Sequence, residues 1–285
     1  MSTGIKEIVK GVYYGQFEGG NCGAIVEGNS ALLIDTPMLP QESRDWRIAL
    51  QQLGVKNIHS IVNTDYHPEH MLGNAAFMPT RIWGHELTTR QITRYKTAFV
   101  DQVNNLAHQI DPQIAEKLNG VEIIPPTMGV EDRVTVFWPT HEIQILLLEG
   151  HTPASLGVFL VKEGILFAGD NVVVNEPPAM AQADSSAWLH TLARLEELAP
   201  QTIVPGVGEL CSVQCVTLLK RYIGELRSRV VDLFQAGASR RECVEKVILA
   251  GYYPVVEDRA VRMRRRQREG VERVYAEVRA ELRRK

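Results

Sequence analysis

A mixed α/β fold is what the sequence predicts, and three observations carry that expectation. Short apolar runs rich in branched residues alternate with longer stretches of helical spacing. Of the 285 residues, 45% are hydrophobic, enough for a large buried core and too apolar for a disordered chain. The chemistry-bearing side chains fall just past the ends of the apolar runs, where loops at one sheet edge can converge on one cavity.

The elements follow in order. GAIVEGNSALLIDTP reads as two strands around the turn residues Gly28, Asn29 and Ser30, a hairpin that opens the fold. QESRDWRIALQQLG places Trp46, Leu50 and Leu53 at helical spacing and stops at Gly54, a glycine C-terminal signal. IHSIVNT is the next strand. From His85 to about Gly120 the apolar positions Leu87, Ile92, Tyr95, Phe99, Val103, Leu106, Ile110 and Ile114 are scattered through polar sequence, which predicts a helical insertion able to cap a site. Strands resume at VEII, DRVTVFW and EIQILLLEG, and SLGVFLVKEGILFAGD supplies a further pair around Glu163 and Gly164. A helix carrying Trp188, Leu192, Leu195 and Leu198 precedes the short strand TIVPG. No internal repeat or low-complexity linker interrupts residues 1–255, read as one domain, and residues 256–285 read as a basic C-terminal helix.

Charge and cysteine usage exclude some classes. A formal net charge of -3 gives no whole-molecule attraction to nucleic acid or anionic lipid. MSTGIKEIVKG lacks the apolar region of a signal peptide, and no run reaches the roughly 18 apolar residues of a spanning helix, so a soluble cytoplasmic protein without a membrane partner is expected. Cys22, Cys211, Cys215 and Cys243 form no CxxC pair and read as free thiols, with Cys22 in the core. Cys211 and Cys215, one helical turn apart, read as two core-facing small residues, with a soft-metal grip as the alternative.

The segment NTDYHPEHMLGN packs Asp65, His67, Glu69 and His70 into six residues. Asp65 and His67, two apart in extended chain, point to one side, and His70, beyond Pro68, can turn back toward them. His151 follows ILLLEG and Asp170 closes ILFAG. Imidazoles and carboxylates suit Zn2+, Mn2+ or Fe2+, and dispersed cysteines argue against a thiolate site. Gly73 and Asn74 read as shaping the turn after the motif.

These motifs together resemble the metallo-β-lactamase superfamily. TDYHPEH is similar to its THxHxDH signature, GHTPAS to its GHTPGS segment, LFAGD to its metal-bridging aspartate strand and LLIDTP to its LLIDTG strand, in the same order over about residues 8 to 210. The resemblance implies a four-layer αββα sandwich, two sheets face to face with helices outside. It implies a metal-dependent hydrolase of thioesters, lactones, β-lactams, phosphodiesters or sulfate esters; a minority of members are iron oxygenases or flavodiiron proteins.

Three positions depart from the family pattern. Asp65 stands in place of the first histidine, Glu69 in place of aspartate, and Val207, in VPGVGE, in place of the last histidine. The resemblance then gives the first metal position Asp65, His67, His151 and Asp170, and the second Glu69, His70 and Asp170 with nothing from Val207. One well-formed site and a weakened second are expected, holding one or two Zn2+, with Mn2+ or Fe2+ favoured more than usual by the anionic Asp65. Glu69 and Asp170 are the candidate catalytic residues, Glu69 as the base that accepts a proton from the attacking water if no second ion takes it, with a two-metal clamp that includes Glu69 as the alternative.

Other candidates carry bland alternatives. Tyr66 flanks the pocket or simply packs; His85 contacts substrate or starts a helix. His59 lies inside a strand, and His108, His141 and His190 read as surface or core residues without partners. From Arg259 to Lys285 eleven Lys or Arg face four Glu, a local +7, so the remainder carries -10. Val271, Val274, Tyr275, Val278 and Leu282 form a helical stripe, with Glu269–Arg273 and Arg273–Glu277 spaced for ion pairs. The stripe reads as docked on the acidic body or on a sister subunit in a homodimer; RMRRRQR as a nucleic-acid contact is the alternative. Three functions remain open: a metal-dependent hydrolase of a small ester-like substrate such as a thioester or lactone, a mononuclear iron oxygenase, and a catalytically impaired member with a binding role.

Overall fold

The computed structural model of the chain describes residues 4–94, 112–118 and 120–282. Two strands precede the expected opening hairpin: β1 (Lys6–Val9) and β2 (Val12–Gln16) pair antiparallel before β3 (Asn21–Glu27) and β4 (Ser30–Ile34). Helix α1 (Pro40–Gln52) has proline in its first turn, where a missing N–H costs nothing, and buries Ser43, Trp46 and Leu50, whereas Leu53 lies past its end and is exposed. Strand β5 (Asn57–Val62) leads into the single turn α2 (Pro68–Met71) and a 3-10 stretch at Leu72–Phe77. Then come β6 (Arg81–His85), α3 (Glu86–Arg94) and α4 (Pro112–Lys117). The insertion is helical at both described ends; Tyr95, Phe99, Val103, Leu106, His108 and Ile110 lie outside the described residues.

VEII is not a strand. The chain is irregular there, and β7 (Met128–Val130) forms instead, parallel to β6 at its edge. Strands β8 (Arg133–Trp138), β9 (His141–Leu147), β10 (Leu156–Leu160), β11 (Ile165–Val173) and, after α5 (Ser185–Leu198), β12 (Thr202–Val207) follow the expected order. Helices α6 (Val213–Gln235), α7 (Arg240–Lys246) and α8 (Ala260–Leu282) follow. Cys211 belongs not to a helix but to an isolated bridge with Ile203, while Cys215 is in α6.

The strands form a seven-stranded sheet in the order β1 to β7 and a five-stranded sheet ordered β12-β11-β10-β9-β8. Their side chains sort by parity. Leu32 and Ile34 of β4 join Ile165 and Phe167 of β11 in a core between the sheets. Ala31 and Leu33 face the other way, with Trp46 and Leu50 of α1, and Leu166 and Ala168 face α5 and α6 through Trp188, Leu192 and Leu219. Strands buried on both faces need apolar residues at consecutive positions, which is why LLI and ILFA read as unbroken runs. The result is the αββα sandwich. Among the described residues no helix is long and apolar enough to cross a membrane.

The tail stripe is covered by the chain itself. Val271, Val274 and Val278 join the core outside the second sheet with residues of α6 and α7, Tyr275 packs on its edge and Leu282 is exposed. Arg273 pairs with Glu277 at 3.0 Å as its spacing suggests, but Glu269 pairs with Arg265, one turn earlier.

Candidate metal centre

Three segments deliver side chains to one rim of the sandwich. Asp65 and His67 lie just beyond β5, His151 just beyond β9, and Asp170 inside β11 rather than at its end. The strand continues past Asp170 because Gly169, at φ 53°, absorbs an irregularity in the β11–β12 pairing. A Cβ at Gly169 would meet Thr64 Oγ1 at 2.7 Å, and one at Gly206 would meet Asp170 Oδ1 at 2.0 Å. Only glycine at both positions lets β11, β12 and the 64–70 segment approach so closely.

The first cluster is Asp65, His67 and His151. His67 Nδ1 lies 3.1 Å from Asp65 Oδ2 and 3.1 Å from His151 Nε2, and His151 Nε2 lies 3.4 Å from Asp65 Oδ2. Donors bound at about 2.1 Å to one tetrahedral zinc stand about 3.4 Å apart, so the spacing suits a single ion. Asp65 Oδ1 accepts the backbone N–H of His67 at 2.7 Å, which fixes the local turn. The His151 ring is oriented by the Ala179 carbonyl, which accepts from Nδ1 at 2.9 Å and leaves Nε2 toward the cluster.

The second cluster is Glu69, His70 and Asp170. His70 Nε2 lies 3.8 Å from Asp170 Oδ1 and 3.8 Å from Asp65 Oδ1, while Asp170 Oδ2 is 3.8 Å from His151 Nε2. Asp170 thus stands between the two clusters. His70 Nε2 and Asp170 Oδ1 are buried and have no hydrogen-bond partner, a costly arrangement unless something polar or cationic meets them. Val207 closes β12 and offers no donor atom.

Electrostatics point the same way. Burial alone would lower the His67 imidazole, but Asp65 beside it outweighs this and raises it to about 9. Burial likewise opposes the charge on His70, and Asp65, Asp35 and Asp170 nevertheless push its pKa well above the ordinary value. Burial disfavours ionised Asp65 too, yet His67, His70 and His151 hold it well below the usual carboxylate range. His151 is lowered by burial, with Asp170 partly opposing. Buried carboxylates here demand positive charge, which a divalent cation satisfies, and the donor set fits one.

Beneath the clusters lies a support that the sequence did not reveal. Asp35, at φ 57°, accepts from Thr64 N and Thr64 Oγ1 at 2.7 Å each and from His70 Nδ1 at 2.8 Å. Asn63 and Asn74 bond one another, and Asn63 also donates to the His70 carbonyl at 2.8 Å. Gly73 is pressed against Pro37 and Ser43, and Asn74 reaches Thr36, so both lock the turn as expected. A buried aspartate directly after an apolar strand was the available signal for Asp35; its partners, 29 and 35 residues away, were not readable.

The remaining candidates divide. Tyr66 is buried, its ring 5.2 Å from that of His67, and its hydroxyl donates to Gln182 Oε1 at 2.5 Å. Burial first, then Asp65, push its phenol up to about 12. His85 ends β6, and its Nδ1 accepts the Leu87 N–H at 3.1 Å at the start of α3. His59 stacks edge-on against Trp138. His141 is not partnerless, since its Nδ1 meets Glu163 Oε1 at 2.8 Å. In RMRRRQR, Arg262 and Arg266 are turned to Glu176, Arg265 to Glu269 and Arg268 to Glu272.

An αββα sandwich gathering histidines and carboxylates at one sheet rim defines a class of metal-site proteins. The particular family is shown by the chain itself: residues 15–207 match the Metallo-beta-lactamase superfamily, and the chain belongs to it. Solved structures share its fold. The stereoselective inverting sec-alkylsulfatase Pisa1 from Pseudomonas sp. aligns over 96% of this chain with a TM-score of 0.74 at 14% identity, and this chain spans half of that protein's length. The metallo-beta-lactamase FIM-1 from Pseudomonas aeruginosa, in its mono-zinc form, covers 79% with a TM-score of 0.61 at 18% identity, and 96% of its own chain is matched. A metallo-beta-lactamase from Pontibacter korlensis covers 76% at 0.60 and 17%, with 98% of its chain matched.

Proposed function

We propose that the protein is a metal-dependent hydrolase of a small ester-like substrate, a thioester or lactone, with one well-formed metal site and a weakened second. The observation that carries this reading is the meeting of Asp65, His67 and His151 within 3.4 Å, with Asp170 Oδ2 3.8 Å from His151 Nε2. Asp65, His67, His151 and Asp170 would hold the first cation, and Glu69 with His70 and Asp170 a more weakly bound second. A cation held there supplies Lewis acidity, polarising an ester carbonyl and lowering the pKa of water toward neutrality.

The chain's own groups do the rest. Asp35 holds the proton on His70 Nδ1, and the Ala179 carbonyl holds one on His151 Nδ1, so the Nε2 atoms remain free as donors. When the weaker second position holds no ion, Glu69, only partly buried, is the proton acceptor for the attacking water. His67, with its side chain 20% exposed, marks where the cluster opens to solvent. Tyr66 lines that opening and positions the substrate.

Zn2+ is the proposed ion; replacement of a neutral imidazole by Asp65 raises the relative affinity for Mn2+ and Fe2+. The test is metal analysis of protein prepared without oxygen, followed by assay of thioester, lactone, β-lactam and secondary alkyl sulfate. Zinc or manganese with turnover of the thioester or lactone is expected. Stoichiometric iron with oxygen consumption would sink the hydrolase reading.

A further inference from the structure

The basic tail has a use that neither its charge nor its apolar stripe suggests. Glu176 is fully buried in the loop between β11 and α5, a location an unpaired carboxylate cannot occupy without a large desolvation penalty. Among the described residues its ion-pair partners come from α8 and the turn before it. Arg262 Nη2 donates to Oε2 at 2.8 Å, Arg266 Nη1 donates to Oε1, and Arg259 lies 3.9 Å away. Arg266 also donates to the Pro177 carbonyl at 3.2 Å.

The far end of the same loop is held by the same helix. Arg273 Nε donates to the Ala183 carbonyl at 2.5 Å, and Glu277 accepts the Ser185 backbone N–H at 3.2 Å. Midway, buried Met180 lies against Gly270, where a Cβ would come within 3.2 Å of its sulfur. Positions 262, 266, 270, 273 and 277 recur at helical spacing, so one face of α8 follows the loop from end to end.

Between those fixings the loop carries the groups that orient the candidate site. The Ala179 carbonyl accepts from His151 Nδ1, and Gln182 accepts from Tyr66 Oη. Resting on the metal-site reading above, we propose that α8 is a positioning element of that site: its arginines on Glu176, with Arg273 and Glu277 on Ala183 and Ser185, set the 174–185 loop so that His151 presents Nε2 to the cluster. Glu176 is then a positioning residue acting through Ala179.

The experiment uses the full chain and Zn2+ alone as the probe, with affinity measured by chelator competition. Glu176→Gln and Arg266→Met are expected to weaken Zn2+ binding about ten-fold or more, the usual effect of losing an orienting partner. Val274→Ala, in the buried stripe of α8 and off the loop-facing row, lowers thermal stability while leaving affinity within about two-fold of wild type. Arg262→Met, which leaves Arg266 on Glu176, replaces Glu176→Gln should that variant not fold. The ring N–H signal of His151 in nitrogen-edited proton NMR is a second readout that stands whether or not metal binds. It is expected to shift in the Glu176 and Arg266 variants and to stay in place in Val274→Ala. A wild-type chain that binds no transition metal defeats the metal-site reading, while unmoved His151 signals in the clamp variants overturn this inference. Equal affinity losses in Val274→Ala and the clamp variants overturn it as well.

Discussion

Nε2 of His151 stands 3.1 Å from Nδ1 of His67, although 84 residues separate them in sequence. Two ring nitrogens at that distance, with Asp65 Oδ2 within 3.4 Å of both, hold lone pairs toward one another unless a proton or cation lies between. Removing either imidazole, by His67→Ala or His151→Ala, is expected to cut Zn2+ affinity by more than the roughly 10- to 100-fold that follows loss of an orienting partner. Equilibrium dialysis measures it. Wild-type metal content in both variants would place the cation elsewhere.

Asp35 accepts from three donors in a buried location, and its positive φ is one that Asn also tolerates. Asp35→Ala leaves the Thr64 N–H, the Thr64 hydroxyl and the His70 Nδ1–H without their acceptor, three buried donors at once, and is expected to cost about 3–5 kcal/mol. Asp35→Asn keeps an acceptor oxygen and the backbone conformation, so its cost should be nearer about 1–3 kcal/mol. Urea unfolding of the two variants, compared with wild type, checks the order. Equal losses would mean that the hydrogen bonds to Asp35 contribute little.

Val207 closes β12 next to Gly206, whose backbone abuts Asp170. Val207→His adds a nitrogen donor beside the cluster that holds the orphaned His70 Nε2. Elemental analysis after zinc loading is expected to rise from near one ion per chain toward two. A stoichiometry unchanged by the substitution would show that position 207 does not reach the rim.

Burial lowers the pKa of His85 below its usual 6.5, with a backbone hydrogen bond to Glu131 opposing. The unfolded chain therefore binds this proton more readily than the folded one. Its contribution to stability is present above 6.5 and is lost as pH falls through the lowered folded-state value. His85→Asn keeps an acceptor for the Leu87 N–H at the start of α3 and removes the titration. Denaturation midpoints above and below 6.5 should therefore converge in the variant relative to wild type, and an unchanged difference would exclude His85 as the source.

Local chemistry made much of this protein legible in its sequence. Runs such as ALLI and ILFAG announce strands buried on both faces, the spacing of Trp46 and Leu50 announces α1, and the clustering of Asp65, His67, Glu69 and His70 announces a loop able to hold a cation. What failed was decided at a distance. VEII has strand composition, but the sheet edge beside β6 is taken by Met128–Val130. Asp170 looked like the end of a strand because a glycine-borne irregularity is invisible in one dimension. RMRRRQR offered a nucleic-acid contact as the alternative to a docked stripe, yet Arg262 and Arg266 close on a carboxylate more than 80 residues earlier. Sequence fixes which groups can donate, accept or bury, because those are properties of single side chains and their spacing. Which of them meet depends on sheet order and helix docking, and so the pairing of His67 with His151, Asp35 with His70 and Glu176 with α8 belongs to the tertiary structure alone.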